Sequence, residues 1–205
     1  MIRLIISPHA DDAEYGCFSV IENSTVAVIS INEEKLKYQD RPPYKVREKE
    51  AFEVSKYCKS NLHILSHIPV CYYTIKECIE LIENEINKIK PEEIYIPTGT
   101  SYNQDHKVIY DASFIALRPH DKNYFVNKVF VYEQEHTFLW SGGGFISRYF
   151  KRVDINAKEK AYNLYKTQIR SFRSFEYMKV LARLRGEQSR YDFAESFDIL
   201  RYIDN

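Results

Sequence analysis

Apolar residues fall into two rhythms along this chain. Short, mainly apolar runs at residues 2–6, 25–31, 62–65, 93–97 and 128–133 read as buried strands of a parallel sheet. Between them, apolar positions recur with the helical period. The clearest stretch is 74–90. There Ile75, Cys78, Ile79, Ile82, Ile86 and Ile89 share one face, Glu and Lys take the other, and Pro91 stops the run. Residues 12–22, 44–59, 105–117, 157–172 and 175–188 read as further helices, and Gly16 lets the first of them pack close to the sheet. A polar loop at 32–43 ends in Pro42-Pro43, and glycines at 142–144 mark another loop. This alternation predicts an α/β fold: a right-handed, mainly parallel sheet with helices on both faces, in a single domain over residues 1–205.

In such sheets ligands bind at the carboxyl ends of the strands. Two polar clusters fall there. SPHADDAEYG follows the first strand and TGTSYNQDH follows the fourth, so both belong on one rim. Imidazole nitrogen and carboxylate oxygen suit zinc or a similar divalent ion, and a catalytic zinc takes three protein ligands and keeps one position open. His9, one of the paired aspartates and His106 make such a set. Adjacent side chains point in different directions, which explains the doublet: Asp12 binds metal while Asp11 serves as base. The bland alternatives are an aspartate pair that merely caps a helix and histidines that are merely hydrogen-bonded. Two His/Asp groups meeting on one rim favour the metal reading.

The remaining features narrow the field. With 205 residues and 44% hydrophobic content the chain supports one core. Lys+Arg and Asp+Glu are equal at 29 each, so there is no basic surplus of the kind nucleic acids require. The four cysteines, Cys17, Cys58, Cys71 and Cys78, form no C-x-x-C pair, and three fall at positions expected to be buried. They read as core residues of a reducing compartment, neither disulfides nor zinc ligands. The N-terminal run is interrupted by Arg3, and no stretch approaches the roughly 18 apolar residues of a membrane span, so a cytoplasmic protein with no integral membrane segment is expected. A homo-oligomer is compatible with all of this.

PHADDAEYG resembles the P-H-x-D-D-x-E-x-G signature of the PIG-L/LmbE-like zinc de-N-acetylases. NQDHKVIYDAS resembles their second motif, usually H-x-D-H. VREKEAFEVSKYC, KAYNLYKTQ and DFAESFDILR resemble three weaker segments in matching order, so the likeness runs over nearly the whole chain. The resemblance implies a Rossmann-like fold and one zinc ion held by His9, Asp12 and His106, with Asp11 as general base. It implies hydrolysis of the acetamide of a small-molecule N-acetylated sugar conjugate of the N-acetylglucosamine type. Arg47 matches an arginine at the substrate end of the cleft; a surface helix charge is its plainer reading. Glu14, placed on the substrate side, either orients the first loop or is only a first-turn helix acid.

One departure stands out. The family usually has histidine three residues before the last ligand, where it assists the oxyanion, and here that residue is Asn103. Asp105, the usual partner of that histidine, is retained. Asn103 is thus the expected oxyanion donor, with His136 from the loop after the fifth strand as the other candidate beside the substrate. The loops at 38–44 and 135–150 are expected to decide what is attached to the sugar. Two further readings are a metal-dependent phosphoesterase, which wants more carboxylates, and a non-catalytic sugar-binding homologue.

Overall fold

The computed structural model describes residues 1–34, 41–119, 121, 123–134, 144–169 and 174–204. In chain order the elements are β1 (Arg3–Ser7), α1 (Asp12–Gly16), α2 (Phe18–Ile21), β2 (Thr25–Val28), α3 (Tyr44–Cys58), β3 (Asn61–Ile64), α4 (Ile75–Ile89), β4 (Glu93–Pro97) and α5 (Gln104–Ala116). They continue with β5 (Lys128–Tyr132), β6 (Tyr149–Arg152), α6 (Ile155–Tyr162), α7 (Phe175–Ser189) and β7 (Ala194–Tyr202).

The strands form one sheet of order β3-β2-β1-β4-β5-β7-β6. β1 pairs in parallel with both β2 and β4, with Ile5 opposite Val26 on one side and Tyr95 on the other. β3 and β5 extend the parallel region outward. The last two strands depart from the alternating pattern: β7 runs antiparallel to β5 and to β6.

The two-residue period of β1 sorts its side chains. Leu4 and Ile6 join a core with Ile82, Ile86 and Ile109 from α4 and α5. Ile5 joins a core with Val54 of α3 and Ala13 of α1 on the opposite face. Each fully buried aliphatic side chain contributes roughly 1.5–3 kcal/mol, and both faces of β1 collect it. A third cluster, built on Tyr15, Tyr162, Phe175 and Met178, seats α6 and α7 against α1. Among the described residues no helix is long and apolar enough to cross a membrane.

Three helices bear on the expectations. The stretch 12–22 is two short helices broken at Cys17, which has φ −131° and ψ 16°. Among the described residues of the stretch 157–172 the helix spans Ile155–Tyr162; Asp154 starts it early by accepting hydrogen bonds from the amides of Asn156 and Ala157. The helix read at 74–90 fits: Thr74 and Glu77 form a reciprocal capping box, and Lys90 closes it in the left-handed conformation.

Candidate metal centre

The strand order reverses between β1 and β4, which opens the crevice where α/β sheets take ligands. Both polar clusters leave the sheet there. His9 and Asp12 follow β1, and His106 sits in the first turn of α5 after β4.

The three side chains converge. His9 Nδ1 lies 3.1 Å from Asp12 Oδ2, and His106 Nε2 lies 3.3 Å from both. They form the one such group of His, Cys or carboxylate ligands among the described residues. A tetrahedral ion with bonds of about 2.0–2.1 Å needs ligand atoms about 3.3 Å apart, so this triangle has the size of a zinc-like site. The donor chemistry fits too, being two imidazoles and one carboxylate. A two-metal phosphoesterase finds no second ligand group among the described residues.

Electrostatics show how the cluster favours a cation. Burial by itself would depress the His9 imidazolium, but Asp105 and Asp12 outweigh it and push its pKa up to about 10. Burial would likewise raise the Asp12 carboxyl, yet His106 and His9 hold it well below the ordinary carboxylate range.

The loop that carries the ligands is braced at every turn. Ser7 Oγ donates to His9 O (2.6 Å) and accepts from the amide of Ala13 (3.1 Å). His9 N donates to Asp12 Oδ2 at 2.8 Å. Tyr132 Oη donates to Ile6 O (2.9 Å) and Tyr165 Oη to Ala10 O (2.6 Å). Gly16 lets α1 close on β5, since a Cβ there would stand 2.4 Å from the Tyr132 ring and 2.7 Å from Glu133 O.

The other expected residues fall as follows. Asp11 is the N-cap residue of α1 and buried, but its side chain makes no capping bond, so capping does not explain the doublet. Asp105 partners a different histidine from the one expected: its Oδ2 lies 2.9 Å from His9 Nε2, and it meets position 103 only through its amide. Its oxygens also accept from Cys71 N at 3.1 and 3.2 Å. Such a carboxylate behind a ligand imidazole fixes the tautomer and the ring. Sequence reasoning missed this pairing because nothing in the chain signals that residues 9 and 105 meet.

Asn103 is the N-cap of α5; its Oδ1 accepts from Asp105 N at 2.9 Å, which leaves its NH₂ outside the cap. Arg47 is no surface charge. It is 1% exposed, its guanidinium nitrogens make no hydrogen bond among the described residues, and Glu33 Oε1 stands 3.3 Å from one of them. Glu14 is buried as well, and that burial pushes its carboxyl up to about 8 with help from Asp11. His136 lies outside the described residues.

The sequence matches the family model described as PIG-L: GlcNAc-PI de-N-acetylase over residues 4–117, just over half of the chain. The chain belongs to the PIG-L family. No curated protein matches the sequence. Among solved structures, the fold is similar to the conserved protein TT1542 from Thermus thermophilus. The two share 18% identity at a TM-score of 0.78, covering 99% of this chain and 96% of the other. It is also similar to N,N'-diacetylchitobiose deacetylase from Pyrococcus horikoshii, with 16% identity and a TM-score of 0.76 over 97% and 83%. A third is GalB, the 4-carboxy-2-hydroxymuconate hydratase from Pseudomonas putida, with 16% identity and a TM-score of 0.73 over 100% and 98%. These likenesses establish the fold, which hosts more than one chemistry.

Proposed function

We propose that this chain is a single-domain, metal-dependent de-N-acetylase that hydrolyses the acetamide of an N-acetylated amino-sugar conjugate. The observation that carries the reading is the His9, Asp12 and His106 triangle, with Asp11 next to Asp12 in the chain. PIG-L membership and the likeness to a sugar deacetylase support the substrate class. Zinc is the metal proposed, because a triad of two imidazoles and one carboxylate suits it.

When bound, the ion supplies Lewis-acid polarisation of the amide carbonyl and acidifies a water. The chain's own groups do the rest. Asp11 accepts the proton of the water that adds to the carbonyl carbon. The NH₂ of Asn103 donates to the developing oxyanion. Asp11 then returns its proton to the nitrogen, the C–N bond breaks, and acetate and free amine leave. Arg47, buried and without hydrogen bonds among the described residues, is proposed to hold sugar hydroxyls or an acidic substituent, and Glu14 to line the same end.

The test pairs metal analysis with free-amine release on a panel of N-acetylhexosamine conjugates. Asp11→Asn is expected to keep the metal and lose about two to four orders of magnitude in kcat. Asn103→Asp keeps the capping oxygen but removes the NH₂ donor, and should lower kcat without weakening metal binding. If no conjugate yields amine while metal is fully bound, the deacetylase reading fails.

A further inference from the structure

We propose that Lys158 and Glu195 are positioning residues for the metal centre, acting as an ion pair that clamps the break between α1 and α2. The inference rests on the metal-site reading above and adds two residues that touch neither metal nor substrate.

α1 has five residues and α2 four, too few for either to hold its shape by its own hydrogen bonds. Their break at Cys17 leaves an α1 carbonyl and two α2 amides to be satisfied. One ion pair serves both sides. Lys158 Nζ donates to Tyr15 O at 2.5 Å and to Glu195 Oε1 at 2.7 Å. Glu195 accepts Phe18 N at 3.0 Å on Oε1 and Ser19 N at 2.7 Å on Oε2. Lys158 is 3% exposed and Glu195 6%.

Charge placement follows helix electrostatics, with the ammonium at the end of α1 and the carboxylate at the start of α2. Burying two ions costs more than burying two apolar chains of the same shape, so packing alone does not account for the pair. What an apolar pair would lack is the bonds to both helices. At the other end of α1, Asp11 is its N-cap and Asp12 its first residue. Any slide or rotation of this short helix therefore moves the metal ligand and the base together. The clamp comes from distant elements, Lys158 from α6 and Glu195 from β7, so it fixes α1 to the antiparallel end of the sheet.

Cobalt(II) serves as probe in the otherwise intact protein, because its visible absorption reports ligand geometry directly. Glu195→Gln, nearly the same size, and Lys158→Met are compared with Lys158→Arg and with wild type, each well below its melting temperature. Asn87→Ala, which removes the hydrogen bonds from α4 to Asn123 and Tyr124 on the segment that enters β5, at the strand ends opposite the rim, is the control for lost stability.

Glu195→Gln and Lys158→Met are expected to weaken cobalt binding about 10–100-fold, the usual size of an indirect effect on a metal site. They should change the visible spectrum and lower kcat more than they raise KM. Lys158→Arg should recover part of each, and Asn87→Ala should change none. Should Lys158→Met fail to fold, Glu195→Gln alone decides. Wild-type cobalt affinity, spectrum and kcat in folded Glu195→Gln would overturn the proposal and leave the pair purely structural. A wild-type protein that binds no cobalt would instead overturn the metal-site reading, and this inference with it.

Discussion

Replacing Asp105 by asparagine isolates the carboxylate behind His9. Asp105 serves two donor residues: His9 through Nε2 at 2.9 Å, and Cys71 through its amide at 3.1–3.2 Å and its thiol at 3.7 Å. A carboxylate only accepts, so Nε2 keeps its hydrogen, and once Nδ1 gives up its own proton its lone pair faces Asp12 and His106. Asparagine has one oxygen for both donors. If that oxygen stays with Cys71, the NH₂ faces His9 and forces the other tautomer, which places a hydrogen on the ligand nitrogen. If it turns to His9, the Cys71 amide meets a donor. Either way the carboxylate charge that makes the imidazole a strong ligand is gone. Partners of this kind are worth about 10–100-fold in metal affinity, or about 1.4–2.8 kcal/mol. Zinc affinity would be measured by competition with a chromophoric chelator at fixed pH, with the fold checked by circular dichroism. Affinity within twofold of wild type in a folded Asp105→Asn protein would refute the argument.

Gly16→Ala gains up to about 1 kcal/mol of helix propensity, but its Cβ lands against Glu133 O and a Tyr132 ring whose hydroxyl is tied to Ile6. A net loss of about 1–3 kcal/mol is expected in urea unfolding, and unchanged stability would contradict the close approach. Arg47→Met should raise KM more than it lowers kcat with the melting temperature held or raised, because the guanidinium makes no hydrogen bond among the described residues and Glu33, which stands 3.3 Å from it, keeps Arg41 at 2.8 Å; a large stability loss with normal kinetics would make Arg47 a structural residue. Burial pushes the Cys78 thiol up to about 12 and raises Cys17 and Tyr95 as well. Folded-state pKa values above the unfolded ones give stability that is complete below about pH 8.5 and is lost as pH rises toward 12. Glu14 and His9, raised to about 8 and about 10, lose their stability over lower windows, from about pH 4.3 to 8 and from about pH 6.5 to 10. In the metal-free protein melting temperature should therefore already decline from about pH 5 and keep falling above about pH 9; a profile flat between about pH 9 and 11 would count against the thiol and phenol burials.

Much of the centre could be read from the chain because its ligands sit at strand ends. The apolar runs that became β1 and β4 place His9, Asp12 and His106 on one rim whatever the details of the loops. α4 was legible to its caps because its pattern and its Thr74–Glu77 box agree. β6 and β7 were not. β6 reads YFKR with no alternation, and β7 is buried on both faces over Ala194–Phe197 and partly exposed beyond, so neither shows a strand's two-residue signature. The break at Cys17 was invisible for another reason: the local sequence continues smoothly, and the groups that stabilise the break are supplied by Lys158 and Glu195. For Arg47 only the plainer alternative, a surface charge, is overturned: a charged residue on a mostly polar helix looks solvent-facing until α3 is packed, where it is buried.

The braces on the metal loop also set the order in which the molecule is made. The carbonyls of Ile6, Ala10 and Tyr15 wait for side chains 126, 155 and 143 residues further along. A growing chain exposes the HADD segment first and completes its surroundings last, after β7 has threaded between β5 and β6. A fragment ending near residue 117 would hold all three side chains proposed as metal ligands and none of these hydroxyl or ammonium supports. Contacts so distant in sequence make for slow folding, and they join assembly of the centre to closure of the sheet in a single late step.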